Sequence, residues 1–262
     1  MPRPQLAANA SVLLFLILIG PLVARAATSE DTAASSTPIH VALYADQGAA
    51  KQGSKHVKRC LATEHGFTYE LVSARQIRDG ALDQFDVVIH PGGSGSKQAE
   101  ALGDEGREKV RNFVAAGNGF VGICAGAYLA SAEYPWSLNF VDAKVLDRKH
   151  WARGTGNVDL RLSPAARKFF GIDDELVTIY YGQGPLLSPA ANDAIVDYEP
   201  LALYETEVAK NGAPTGVMKG TTAIARAPFG KGRVVAISPH PEKTPGRDEV
   251  LQRVIRWTAG KD

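Results

Sequence analysis

The sequence predicts an α/β domain with a mostly parallel sheet, helices on both faces, and added antiparallel strands in its later half. Three observations predict it. Short apolar runs alternate with helix-period runs from Ile39 onward, and several apolar runs stop abruptly at glycine. The composition, 45% hydrophobic and 22% charged, lets a chain of 262 residues bury a sizeable core without disulfide staples.

The elements read as follows. Residues 39–44 form a buried strand, 54–65 a helix stopped by Gly66, and 67–72 a second strand. Residues 85–90 are a third strand, ended by Pro91-Gly92-Gly93. Residues 105–116 form an amphipathic helix with Val110, Phe113 and Val114 on one face and Gly117 at its end. A fourth strand, 119–123, leads into a short helix, 125–131. This order favours parallel pairing with right-handed crossovers. After Glu133 the rhythm changes to strands over 143–146, 158–162, 176–181 and 195–205. Ser163 and Pro164 open a short helix to residue 170 as N-cap and first position. Strands 222–227 and 233–238 flank Phe229-Gly-Lys-Gly232 as a hairpin, and 247–258 is the closing helix.

The beginning of the chain reads as a leader. Arg3, an apolar run over 11–20 and Ala24-Arg25-Ala26 fit a signal peptide over 1–26, cut after Ala26. Residues 27–37 read as a disordered lead-in and 38–262 as one domain. The expectation is a secreted or periplasmic protein with no membrane span after cleavage. An uncleaved anchor is the alternative, but the run falls short of the roughly 20 residues a spanning helix needs. A net charge of +1, with no basic run, gives no reason to expect nucleic acid. The two cysteines, Cys60 and Cys124, are too few for a disulfide framework and sit in different contexts. Cys60 reads as a small apolar residue within a helix.

Three segments could carry chemistry. Gly122-Ile-Cys-Ala-Gly126 places Cys124 on a tight strand-to-helix turn, where small residues at −2 and +2 admit a strained backbone. The amino end of the next helix would favour the reactive thiolate. Alone, the segment reads more readily as a buried cysteine in a glycine-rich turn than as a nucleophile. The apolar strand before His240-Pro-Glu242 supplies a base and an orienting carboxylate, at a strand end where functional groups of open sheets gather. Gly92 and Gly93 lie just past another strand, where backbone N–H groups, with that of Ala125, could form an oxyanion hole. The segment 92–98 lacks the Gly-Lys pair of a phosphate loop.

In type and order these pieces resemble the class I glutamine amidotransferase-like superfamily. Tyr44-Ala-Asp-Gln-Gly48, His90-Pro-Gly-Gly-Ser94, Gly122-Ile-Cys-Ala-Gly-Ala-Tyr128 and Tyr180-Tyr-Gly-Gln-Gly184 resemble most closely its biotin-protein ligase amino-terminal-like family. The resemblance implies a flavodoxin-like sheet, Cys124 as nucleophile, His240 as base, Glu242 as orienter, and Gly93 with Ala125 as oxyanion donors. No ligase catalytic domain is legible, so biotinylation is not expected.

Candidate substrate contacts are Asp46, Gln47, Ser94, Tyr181 and Gln183. Tyr180 could also touch substrate, Lys97 and Gln98 could cover the crevice, and Trp136, His150 and Trp151 could form a wall. The remaining histidines show no ligand spacing, so neither a metal nor a cofactor is expected. Two functions stay open. One is an exported cysteine-dependent amidase or peptidase acting on a small-molecule or peptide amide through a thioester; a synthetase-coupled amidotransferase fits export poorly. The other is a binding module on the same fold without turnover.

Overall fold

The computed structural model describes residues 1–2 and 37–261. The expected leader and lead-in therefore lie, apart from residues 1, 2 and 37, outside the described residues. Among these, no helix is long and apolar enough to cross a membrane.

The strands in chain order are β1 Ile39–Tyr44, β2 Phe67–Val72, β3 Val87–His90, β4 Gly119–Ile123, β5 Ala143–Leu146 and β6 Gly156–Leu162. They continue with β7 Leu176–Tyr181, β8 Leu186–Pro189, β9 Glu199–Tyr204, β10 Thr222–Phe229 and β11 Gly232–Ile237. The helices are α1 Lys51–Cys60, α2 Ala74–Arg78, α3 Gly95–Ala115, α4 Ala125–Ala130, α5 Pro164–Phe170 and α6 Asp248–Thr258. The main path of the sheet is β2-β1-β3-β4-β11-β10-β9-β6-β7, with β5 and β8 paired beside β10. From β2 to β11 every neighbour is parallel; beyond β11 every pairing is antiparallel. The predicted α/β, flavodoxin-like fold is thus present, but its sheet is partly and not mostly parallel. Among the described strands the antiparallel pairings outnumber the parallel ones, because the strands after Glu133 that join the sheet beyond β11 all pair antiparallel.

Strand periodicity explains the two helical layers, because successive side chains point to opposite faces. Val41 and Leu43 of β1, Val121 and Ile123 of β4, and Val235 and Ile237 of β11 pack with Val57, Leu61, Leu251 and Val254 from α1, α6 and the turn after α1. The intervening Ala42, Tyr44, Phe120, Val234 and Ala236 pack with Ile77, Leu102, Val110 and Phe113 from α2 and α3. Each fully buried Val, Leu, Ile or Phe contributes roughly 1.5–3 kcal/mol.

Several boundaries differ from the reading. α1 starts at Lys51 and ends at Cys60; a separate 3₁₀ turn, Thr63–His65, closes on Gly66 at φ 77. α3 runs from Gly95 through a break at Gly103 (φ 63, ψ −177), so the predicted helix is only its second half. α2 was not predicted, although Ser73 and Gln76 form a capping box at its start. β8 was missed, and β9 begins at Glu199. The β10–β11 hairpin and the Ser163-capped α5 match the reading.

Candidate active site

The sheet order brings the three chemical segments together. β3, β4 and β11 are consecutive parallel neighbours, with His90 opposite Gly122 and Ile123 opposite Ile237. Their following residues leave the sheet at one carboxyl edge. Cys124 N–H donates to the Ile237 carbonyl at 2.7 Å, tying the turn after β4 to the end of β11.

At the turn, Cys124 takes φ 52 and ψ −97 and caps α4. A positive φ in a residue carrying a Cβ costs on the order of 1–3 kcal/mol, which the surrounding packing must impose. The two flanking glycines permit it sterically. A Cβ on Gly122 would lie 2.3 Å from the Gly126 carbonyl oxygen, and one on Gly126 would lie 2.1 Å from that of His90. The tight turn is thus closed against both β4 and β3.

His240 and Glu242 are 1% and 0% exposed, and His240 Nδ1 lies 2.7 Å from Glu242 Oε1. The backbone around them is held from several sides. His240 N–H donates to the Tyr180 carbonyl at 2.8 Å. Thr244 Oγ1 donates to the His240 carbonyl at 2.8 Å and accepts from Tyr180 N–H at 3.0 Å. Arg59 Nη2 donates to the Glu242 carbonyl at 2.8 Å while Asp248 grips the same guanidinium at 2.7 and 3.0 Å. Two glycines make room for the ring. A Cβ on Gly92 would stand 3.0 Å from His240 Cε1, and one on Gly182 would stand 2.6 Å from Nε2.

Burial alone would lower the His240 pKa, but hydrogen bonds to Cys124 and Glu242 outweigh it and raise the value to about 9. The imidazolium form of the ring is therefore favoured beside Cys124 and Glu242. The neutral thiol has another acceptor, the Gly182 carbonyl, 3.5 Å from Sγ. At Cys60, burial is the main cause pushing the thiol up. Both cysteines are free.

The Pro91-Gly92-Gly93 loop is fixed from both sides. Ala50 N–H donates to Gly92 O and Ser94 N–H to Gly48 O, both at 2.8 Å. In that antiparallel bridge the N–H of Gly93 points away from the Gly48–Ala50 side. Gly93 has φ 140, and a Cβ there would fall 2.0 Å from Gly48 O. Below the loop, buried His90 bonds through Nδ1 to Gln98 Oε1 at 2.9 Å, and Gln98 Nε2 donates to Pro91 O at 2.9 Å. Burial lowers the His90 pKa to about 4, against the opposing Gln98 bond, so the ring is neutral.

Cys124 and Gly93 open onto a cavity of about 470 Å³. Ser94 and Gln183 line it, as do Trp136 and Trp151; His150 instead binds Asp147 at 2.6 Å and is not part of the lining. Gln98 supports the loop from beneath instead of covering the crevice, and Lys97 is exposed outside the lining. Asp46 and Gln47 are also exposed and outside it; Asp46 Oδ2 accepts from Ala74 N–H at 2.9 Å, at the start of α2. Tyr181 is buried in the core and donates to the Gly184 carbonyl at 2.9 Å, so its side chain is turned from the cavity. Tyr180 lies instead beside His240, with ring centroids 6.1 Å apart. The reading missed Gly182, Tyr134 and Arg148, which line the same space. Among the described residues, no group of three or more His, Cys, Asp or Glu is arranged to hold a metal ion.

Comparison with known proteins agrees with this geometry at the level of family and fold. Residues 39–153 match the family described as biotin-protein ligase, N terminal, a stretch that holds the Gly92-Gly93 loop and Cys124 but ends before His240. No curated protein matches the chain. A ThuA-like protein from Bacteroides uniformis shares 14% identity at a TM-score of 0.55, over 86% of this chain and 94% of its own. A ThuA-like protein from Parabacteroides merdae gives 14% and 0.55, over 85% and 90%. A β-galactosidase from Bacillus circulans sp. alkalophilus aligns with 84% of this chain at 14% identity, but the TM-score is 0.49 and only 30% of the enzyme's length is spanned. Residues 39–153 therefore carry the biotin-protein ligase amino-terminal pattern that the motifs resemble, and the chain shares its fold with the ThuA-like proteins.

Proposed function

We propose that the protein is a cysteine-dependent amide hydrolase using Cys124, His240 and Glu242. One observation carries the reading: a strained Cys124 at a strand end shares a buried hydrogen-bonded group with His240, whose other ring nitrogen lies 2.7 Å from Glu242. His240, with its pKa near 9, holds the proton taken from the thiol. The Cys124 sulfur attacks the amide carbonyl carbon, and the N–H groups of Gly93 and Ala125 meet the developing oxyanion. His240 protonates the leaving amine as the C–N bond breaks, leaving a thioester. It then takes a proton from water, which hydrolyses the thioester to the acid and the free thiol. Glu242 orients the ring and supports its charge.

One observation favours the alternative of a binding module. The contact from Sγ to the Gly182 carbonyl at 3.5 Å suits the neutral thiol. Iodoacetamide labelling with mass-spectrometric mapping separates the two. The hydrolase reading expects Cys124 to react at least about tenfold faster than Cys60 near neutral pH. It also expects His240→Ala to slow that reaction and to lower amide hydrolysis by about 10²–10⁴-fold. Equal labelling of the two cysteines, with no response to His240→Ala, leaves the binding module.

A further inference from the structure

We infer that the cavity beside Cys124 selects an amide that carries both a carboxylate and a flat ring, with its amino group capped. This rests on the hydrolase reading and names its substrate class. Part of the cavity wall is aromatic. Tyr134 and Trp136 stack with centroids 4.5 Å apart and planes inclined by 17°, and Tyr128 flanks Tyr134 at 6.3 Å. Gly95 lets this wall come close, since a Cβ there would stand 3.3 Å from Trp136 Cη2. Trp151, at the same cavity, is 57% exposed. A large apolar ring left in water at the rim of a cavity offers a stacking face to a ligand.

The charge is equally one-sided. Arg148 is the one charged side chain among the described lining residues. Its guanidinium lies 4.5 Å from the Tyr134 ring centroid, and Glu133 accepts from its Nη2. That ion pair is partly exposed, and such pairs contribute only about 0–1 kcal/mol, so a ligand carboxylate can compete for the guanidinium. A guanidinium has five N–H donors, enough to serve both anions. A free ammonium group would meet no carboxylate among the lining residues. An N-capped amide avoids that cost, and a free amino acid amide incurs it.

The test uses three electrophiles that differ in one feature: iodoacetamide, iodoacetate and N-benzyl-2-iodoacetamide. In each, the Cys124 thiolate attacks the methylene carbon, a C–S bond forms and iodide leaves. Rate ratios within each variant cancel any change in the thiol itself. Arg148→Gln should lower the iodoacetate to iodoacetamide ratio about three- to fivefold. Trp151→Ala should lower the benzyl to iodoacetamide ratio by a similar factor, about three- to fivefold. Unchanged ratios overturn the inference while leaving the triad intact; failure of iodoacetamide to prefer Cys124 over Cys60 overturns the triad instead. A second measurement does not need the thiol. In Cys124→Ala, hippurate should bind more tightly than neutral hippuramide, as read by tryptophan fluorescence, and Arg148→Gln should erase the difference. Equal binding of the two overturns the anion site.

Discussion

Substituting Gly182 by Ala should disable the site without altering any residue of the proposed triad. The new Cβ would stand 2.6 Å from His240 Nε2 and 2.7 Å from Cδ2, where ordinary contact begins near 3.4 Å. The ring must therefore retreat by about 1 Å, while its other nitrogen is tethered to buried Glu242 at 2.7 Å. Gly182 has no positive φ, so alanine suits the backbone and the strain falls on the ring. A displacement of about 1 Å at a reacting group can cost 10²-fold in rate. The overpacking itself should cost roughly 1–3 kcal/mol of stability. The assay is the iodoacetamide rate at Cys124, with Cys60 as internal reference, beside thermal unfolding. Gly156→Ala is the control, because its Cβ meets nothing closer than 3.7 Å. A folded Gly182→Ala protein that labels Cys124 at the parent rate would refute the role given to His240.

Other consequences are direct. His240→Ala should lower amide hydrolysis by about 10²–10⁴-fold, and Glu242→Gln by less, measured as ammonia or amine release. Stability should fall on both sides of neutrality. The raised His240 pKa contributes stability that is complete below its ordinary value of 6.5 and is lost as pH rises through about 9. The lowered His90 pKa contributes stability present above 6.5 and lost as pH falls toward about 4. Thermal melts across pH should show the acid limb flattened in His90→Gln; an unaltered limb would place its cause elsewhere. Amino-terminal sequencing of exported material should begin near Ala27, and intact Met1 in a soluble cytosolic pool would argue against the leader.

What was legible in the sequence is what depends on local chain geometry. Gly122 and Gly126 around Cys124 and Gly93 after β3 announce close backbone approach, and the structure puts carbonyl oxygens 2.0–2.3 Å from their missing Cβ atoms. The ends of apolar runs located the loops, and parallel order brought those loops to one edge. Period-two reading could have removed Tyr181 from the candidate contacts, since Val177, Ile179 and Tyr181 share the buried face of β7. The capping pair Ser73 and Gln76 could have announced α2 and explained Asp46 as a ligand of its first turn. Arg148 and Tyr134 carry no such local mark. They reach the cavity because the segment after α4 folds back past Gly95, a fact of tertiary packing.

The antiparallel strands complete the site from the far end of the sheet. In sheet order, β7 is separated from β11 by β10, β9 and β6, yet the chain at Tyr180 forms an antiparallel bridge to His240. The sheet must therefore curl until its last strand meets the edge where β4 and β11 end. That closure delivers the Tyr180 carbonyl to the His240 backbone, the Gly182 carbonyl to Sγ, and the Gln183 carbonyl to the Tyr128 hydroxyl at 3.3 Å. A Cβ on Gly184 would lie 2.1 Å from the Ser238 carbonyl oxygen, so the loop seats directly against the segment leading to His240. The parallel half supplies the residues of the proposed triad, and the antiparallel half holds the backbone around His240 and places the Gly182 carbonyl against the thiol. Loosening β7 should then slow Cys124 chemistry from a distance. Ile179→Ala, a buried change about 2–5 kcal/mol in cost, should reduce iodoacetamide labelling while the β4–β11 pairing stays protected from hydrogen exchange. Labelling at the parent rate in that variant would show that the parallel half holds His240 in place unaided.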